Sequence, residues 1–297
     1  MTARLLDGRE IARQVQEELK ERIARLSGRG IVPGLGVVLV GDNPASRSYV
    51  NAKEKACAAL GLRSFAKHLP AAASREEVLD TVRRFNDDDE VDGILVQLPL
   101  PDATMEQAVL ETVGPDKDVD GFHPVNVGRM LLGLPAFWPC TPHGIVQLLL
   151  RSGYDPAGAH VVIVGRSHIV GRPLANLLTR KGRGGDATVT ICHTRTADLA
   201  RHTRQADILV AAAGRPGTVT AEMVREGAVV IDVGVNRVPD PSRPSGHRLV
   251  GDVDFDAVRE RAAAITPVPG GVGPMTIAML LRNTVEAAER RRGGAGR

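Results

Sequence analysis

Apolar positions along the chain alternate between helical spacing and short continuous runs, and the changes of period mark out its elements. Ile11, Val15, Leu19, Ile23 and Leu26 recur at helical spacing, which predicts an amphipathic helix stopping near Gly28 and Gly30. The run LGVVLV (35–40) is unbroken and aliphatic, as a strand buried on both faces requires. Ser46 is placed to cap a helix that carries Tyr49 and Lys53 and ends at Gly61, and Ser74 with Glu77 forms a capping box for the next. GILVQLPLP then reads as a strand running into a loop. A long Pro/Gly-rich stretch (114–139) ends at PCTPHG, where Thr141 as N-cap and Pro142 as first helical residue start a helix to about Arg151.

Beyond that helix the pattern restarts. HVVIVG, ATVTICH, ADILVAAAG and GAVVIDVGV are apolar strands separated by helical or turn segments. Residues 236–247 are polar and proline-rich and read as a surface excursion, and the last helix runs from Met275 to about Arg290. Strands alternating with helices in both halves predict an α/β protein with two mostly parallel, doubly wound sheets. The first domain is placed at 1–141 and the second, of Rossmann type, at 142–273.

Composition narrows the class. The 297 residues suit two domains, and 43% hydrophobic with 25% charged residues excludes a disordered or fibrous chain. Aromatics make up only 3%, so aliphatic side chains must fill the cores. The net charge of +3 has one dense cluster, Arg290 to Arg292, read as the start of a solvated, flexible tail (291–297) and not as a nucleic-acid arm. Cys57, Cys140 and Cys192 form no CxxC pair, which argues against a disulfide framework and a zinc site and favours a reducing cytoplasm. Charges are spread through MTARLLDGREIARQ where a signal peptide needs an apolar core, and no run reaches membrane-spanning length. The expectation is a soluble protein with neither membrane nor nucleic-acid partners.

Several local patterns can carry chemistry. GRSHIVGRP (165–173) follows a strand and opens a helix, the context of a phosphate-binding turn, although its spacing is not GxGxxG. At the next strand end, where NAD sites carry an acid, stand His193, Thr194, Arg195 and Thr196; with Arg166 they suit a 2′-phosphate and favour NADP, a solvated polar turn being the alternative. Tyr49 and Lys53 share one helix face, so a ring beside an amine can line a pocket, against the plainer reading of a solvated lysine. Gln97 ends a strand and can point into a cleft or simply cap it. Asp116, Asp118 and Asp120 break the calcium-loop pattern, so no metal is expected. PGGVGP (269–274) permits close backbone approach to a ligand, or is an interdomain turn.

Taken together, GDNPASRSYVNAKEKAC, GILVQLPLP, KDVDGFHPVNVGRM, PCTPHGI, VVIVGRSHIVGRP, TVTICHTRT and ITPVPGGVGPMT resemble, in order and spacing, the bifunctional methylenetetrahydrofolate dehydrogenase/cyclohydrolase family, from about Leu6 to Glu289. The resemblance implies a folate-binding catalytic domain completed by the C-terminal helix (274–290) packing back on it, an NADP-binding Rossmann-type domain, and a homodimer. Carried over by position, Lys53, Gln97, Tyr49 and Asp120 would be catalytic, with Lys53 the central amine and Asp120 on the pterin. Tyr49, Lys53, Val96, Gln97, Leu98, Asp120 and the loop Pro269, Gly270, Gly271, Val272, Gly273 would bind folate. Gly165, Arg166, Ser167, Ile169, Thr194, Arg195, Thr196 and Val235 would hold NADP. Thr194 stands where serine is the more usual residue and keeps the hydroxyl. The implied activity is oxidation of 5,10-methylenetetrahydrofolate followed by hydrolysis to 10-formyltetrahydrofolate. A dehydrogenase-only relative and a non-catalytic folate- or nucleotide-binding protein remain the alternatives.

Overall fold

In chain order the elements of this computed structural model, which describes residues 2–243 and 246–293, are β1 (Arg4–Leu5), α1 (Gly8–Ser27), β2 (Gly34–Val40), α2 (Pro44–Ala59), β3 (Arg63–Leu69), α3 (Arg75–Asp87), β4 (Gly93–Val96), α4 (Glu106–Thr112), α5 (Pro124–Leu131) and α6 (Cys140–Arg151). They continue with β5 (His160–Val164), α7 (Gly171–Thr179), β6 (Thr188–Cys192), α8 (Leu199–Thr203), β7 (Ile208–Ala211), β8 (Val229–Asp232), β9 (Asn236–Pro239), β10 (His247–Val250), α9 (Phe255–Arg259), β11 (Ala264–Ile265) and α10 (Val272–Arg292). The chain divides into two compact units, Met1–Ala12 with Thr141–Thr276 and Arg13–Cys140 with Ile277–Arg297. Among the described residues no helix is long and apolar enough to cross a membrane.

The second of these units is built on a three-stranded parallel sheet, β3-β2-β4. β2 is buried along its whole length, which is why its seven residues carry no polar side chain. β3 has no such run: RSFAKHL is mostly exposed and is held as a strand by its backbone register with β2, so periodicity alone does not reveal it. α3 has the expected capping box and buries Val78, Leu79, Val82 and Phe85. α2 starts earlier than the spacing predicts. Asn43, not Ser46, caps it by accepting from the Ala45 and Ser46 amides, Pro44 opens the first turn, and Ser46 joins a buried stripe with Val50, Lys53 and Cys57. α6 likewise begins at Cys140, so Thr141 lies inside the helix.

The C-terminal part of α10 belongs to this unit, and its end corrects the reading of a solvated tail. Arg22 donates to Glu289 through Nε (3.0 Å), while Arg291 and Arg292 both donate to Asp92, a carboxylate with 0% exposure. Asp92 also accepts from the Gly34 amide (2.9 Å), and the two guanidiniums cap the Val91 and Val32 carbonyls. The arginines are helical residues neutralising a buried charge, and residues 294–297 of the expected tail lie outside the described residues.

The other unit carries a six-stranded parallel sheet ordered β1-β11-β8-β7-β5-β6. β7 and β8 are buried throughout and β5 nearly so, and Val162, Val164, Leu209, Val230 and Ile265 form the center of its core. β1 is a two-residue edge strand on β11, so the N-terminal residues group with this sheet, which the placement of 1–141 in one domain does not anticipate. In the excursion at 236–247, β9 pairs antiparallel with β10; Pro244 and Ser245 lie outside the described residues. The strand after β5 pairs on one side of it and the next on the other, so a topological switch lies between β5 and β7.

We expect Asp92→Ala to destabilise the chain by about 3 kcal/mol, the low end for breaking a buried ion pair because the arginine side chains keep some hydration. The urea midpoint measures it, and a loss below about 1 kcal/mol would mean that the α10 terminus is not anchored by this carboxylate.

Candidate active site

The buried stripe of α2 takes a lysine out of water. Lys53 is 7% exposed, and its Nζ donates to Oε1 of Gln97 at 2.8 Å. Gln97 follows β4, is fixed by its own amide to the Val38 carbonyl, and turns its side-chain NH2 to the Leu98 carbonyl at 2.7 Å. The acceptor facing the amine is therefore a neutral oxygen of set orientation. Val96 is buried in β4 and Leu98 is half-buried beyond it, while Tyr49, one turn before Lys53, is half-buried with its hydroxyl pushed up by burial.

Asp120 is the carboxylate that acts on this amine. It lies close enough for the two groups to act on each other: burial lowers the Lys53 amine below the ordinary lysine value, and Asp120 and Cys140 oppose that shift without overcoming it. Burial likewise pushes the Asp120 carboxyl up to about 6, with Lys53 pulling the other way. Desolvation wins on both sides, so the pair is driven toward neutrality.

Segment 117–119 lies beside β4, with Ile94 donating to the Lys117 carbonyl and Asp118 bridging Ile94. Asp118 is buried and accepts from the amides of Gly121, Phe122 and His123 and from the Asn126 side chain. Those donors fill it, so Asp118 shapes the loop, and Asp120 is the carboxylate of this segment that acts on Lys53. Asp116 is exposed. Among the described residues no three His, Cys, Asp or Glu side chains are placed to hold a metal. Two residues that sequence reasoning passed over complete the setting. Cys140 is buried beside Asp120 with its sulfur 3.2 Å from the Val119 carbonyl, and Asn283 donates to the Val119 and Trp138 carbonyls at 2.8 and 3.1 Å. Neither carries a spacing signal, since each makes its contacts with backbone or side chains that no local repeat relates to it.

In the six-stranded unit, the turn after β5 is as tight as the sequence suggests. Gly165 has φ +141°, and a Cβ there would stand 2.1 Å from the Ala212 carbonyl oxygen; one at Gly171 would stand 2.1 Å from that of Gly165. Ser167 accepts from the Val170 and Gly171 amides at the start of α7, leaving Arg166, Ser167 and Ile169 exposed along the turn. Val164 pairs with Cys192, so the β6 end lies alongside; there His193 and Thr196 close a turn and present Thr194 and Arg195 to solvent. Val235, also exposed, follows β8. No acidic side chain occupies 193–196. The 269–273 loop packs against the start of α1, where a Cβ on Gly8 would lie 1.7 Å from the Gly271 carbonyl oxygen, and Val272 and Gly273 already belong to α10.

Comparison with known proteins places both halves. Residues 6–120 match the catalytic domain of tetrahydrofolate dehydrogenase/cyclohydrolase, and residues 139–292 match its NAD(P)-binding domain. A Dehalococcoides mccartyi protein named bifunctional protein FolD is 56% identical over 292 residues, covering 98% of each chain. The crystal structure of the bifunctional methylenetetrahydrofolate dehydrogenase/cyclohydrolase FolD from Campylobacter jejuni aligns with a TM-score of 0.90 at 49% identity, covering 97% of this chain and 99% of that one. The Trypanosoma brucei methylenetetrahydrofolate dehydrogenase-cyclohydrolase, solved with NADP and an inhibitor, aligns at 0.92 with 44% identity and 98% coverage of each.

Burial pushes the Cys57 thiol up to about 12 and raises Cys140 and Cys192 as well. The native protein should therefore consume almost no thiol reagent near pH 8, reacting at least about a hundredfold more slowly than free cysteine, and take up three equivalents once unfolded. A fast equivalent in the folded protein would show that one of the three thiols is open to solvent.

Proposed function

The chain belongs to the tetrahydrofolate dehydrogenase/cyclohydrolase family, and on that premise we propose how its residues carry the two reactions. It is a bifunctional enzyme of one-carbon metabolism: it oxidises 5,10-methylenetetrahydrofolate to the methenyl form with NADP and hydrolyses that product to 10-formyltetrahydrofolate. The observation that supports our assignment of residues is the buried Lys53 amine held by the neutral Gln97 oxygen.

Hydrolysis needs a base when water attacks the methenyl carbon and an acid when N5 departs. With its proton affinity lowered, Lys53 takes a proton from the attacking water. It returns that proton to N5 as the C–N5 bond breaks, while the new hydroxyl loses its own to solvent as the formyl C=O forms. Gln97 orients the amine without adding the negative charge that would raise its proton affinity. Asp120 accepts from the 2-amino group and N3 of the pterin, Tyr49 lies against the folate ring, and Val96 and Leu98 flank Gln97.

NADP, when bound, supplies the hydride acceptor for the first reaction. The Gly165 turn fits its pyrophosphate, since any side chain there would fill the space the backbone needs to approach the phosphates. Arg166, Thr194 and Arg195 hold the 2′-phosphate, with Ser167, Ile169, Thr196 and Val235 along the same edge. The protein acts as a homodimer in the cytoplasm in this reading. Among the described residues β3 has a strand neighbour on one side only, which leaves an edge for a second copy to cover, and the three free thiols suit a reducing compartment.

Lys53→Met keeps the stem and removes the amine, so cyclohydrolase activity should fall by about 10²–10⁴-fold with methenyltetrahydrofolate accumulating, while oxidation falls less. Hydrolysis by the parent should rise with pH as Lys53 loses its proton, the rise centred below the ordinary lysine range, and Lys53→Arg should not restore it. A folded Met variant hydrolysing at the parent rate would remove Lys53 from the mechanism. For cofactor choice, Arg166→Ala or Arg195→Ala should raise the KM for NADP about tenfold and leave that for NAD nearly unchanged. Equal losses with both cofactors would place the 2′-phosphate elsewhere.

A further inference from the structure

The six-stranded unit contains two buried carboxylates that the reactions above do not use. Asp232 ends β8 and is 2% exposed, and Asp252, after β10, is 0% exposed. Each is occupied by N–H donors. Asp232 accepts from Gly234 (3.0 Å), Asp252 (2.9 Å) and Val253 (3.0 Å). Asp252 in turn accepts at Oδ2 from the Ala213 and Gly214 amides, at 2.7 and 2.8 Å, and at Oδ1 from the Asn236 side chain at 2.9 Å. The space is filled to contact: a Cβ on Gly251 would stand 1.7 Å from Asp232 Oδ2, and one on Gly234 2.3 Å from Asp252 Oδ1.

Burying a carboxylate is expensive, and burial indeed pushes Asp232 up to about 6. Apolar residues would fill the same volume with less penalty. What the carboxylates add is a fixed position for particular backbone atoms. Ala213 and Gly214 continue β7, directly after Ala212, whose carbonyl faces Gly165 across the β5/β7 switch. Gly234 and Asn236 flank Val235. The β5 and β6 ends carry the pyrophosphate turn and the adenosine 2′-phosphate residues, so the half of the dinucleotide beyond the switch falls on the β7 and β8 ends.

We propose that Asp252, braced by Asp232, is a positioning residue for NADP: it sets the backbone of Ala213–Gly214 and, through Asn236, of Val235, where the nicotinamide half of the cofactor rests. The inference rests on the assignment of the dinucleotide to this sheet edge. It differs from the role of Arg166 and Arg195 in acting on the part of the cofactor that NAD and NADP share. It differs from a purely structural role in sparing hydrolysis, which needs no dinucleotide.

The test is Asp252→Asn in the full-length protein, with KM for NADP and for NAD, NADP affinity by titration, and hydrolysis of supplied methenyltetrahydrofolate without cofactor. The KM should rise about tenfold by the same factor for NADP and NAD, as expected when a charge-assisted acceptor of two buried amides is lost, and hydrolysis should stay within about twofold. If Asp252→Asn does not fold, Asn236→Ala, which leaves both backbone amides bonded, should give a smaller equal rise for the two cofactors, about threefold. Unchanged cofactor KM in a folded variant, or hydrolysis and oxidation falling together, overturns the proposal. Should Arg166→Ala and Arg195→Ala still discriminate NADP from NAD in that case, only the positioning role fails; should they also have no effect, the placement of the dinucleotide fails with it.

Discussion

The three-stranded unit depends on one constraint, which is keeping an amine out of water without giving it a full opposite charge. A lysine buried to this depth is tolerated only if its donors are met and its proton is easily lost. Each neighbour of Lys53 answers part of that demand. Lys53 lies in the buried α2 stripe with Ser46, Val50 and Cys57, and the Gln97 oxygen meets its amine. Asp120, which could have pinned the ammonium form, is itself pushed up to about 6 by burial, so its charge is held less firmly than that of an ordinary carboxylate. A fully ionised Asp120 would favour the charged lysine and oppose the lowering of its proton affinity.

Holding such a pair requires that the chain around it cannot relax, and here buried carboxylates recur as ties. Asp118 gathers three successive backbone amides and Asn126 into the loop that ends beside Asp120's neighbours. Asp92 fastens the end of α10 beside β4, and the same helix places Asn283 on the Val119 and Trp138 carbonyls. In the six-stranded unit, Asp232 and Asp252 do the equivalent for the strand ends. A carboxylate accepts several N–H bonds at once, so one residue can fix the directions of two or three peptide groups, which an apolar side chain cannot do.

These ties were the part least visible in the sequence. The buried strands β2, β5, β7 and β8 and the amphipathic helices announce themselves through period and composition, and so do the α/β class and the two sheets. β3 and β1 do not, because an edge strand can be polar or very short and owes its form to the backbone of its neighbour. DKDVDG shows three acids at equal spacing, and nothing in that spacing says that Asp118 turns inward to the backbone while Asp120 acts on the Lys53 amine. Arg291 and Arg292 look like a solvated tail until the buried Asp92, two hundred residues away, is placed beside them. Long-range pairing between single polar residues leaves no periodic trace. Lys53 and Gln97 were legible only through the combination of motifs, since a lysine on a helix and a glutamine at a strand end are each ordinary.

The balance around Lys53 also bears on why two reactions share one chain. On the proposed assignment, oxidation leaves a cation on the folate beside the amine, and a nearby positive charge lowers the proton affinity of Lys53 and Asp120 alike. Each effect favours hydrolysis. The amine is pushed further toward its neutral, basic form, and the carboxylate that grips the pterin is held in its ionised form, against the burial that raises it. The substrate of the first reaction is uncharged at that carbon and exerts no such pull, so the base becomes competent when its own substrate has been made. A glutamate in place of Gln97 would weaken this coupling, because a permanent negative charge beside the amine would offset the field of the cation that switches it.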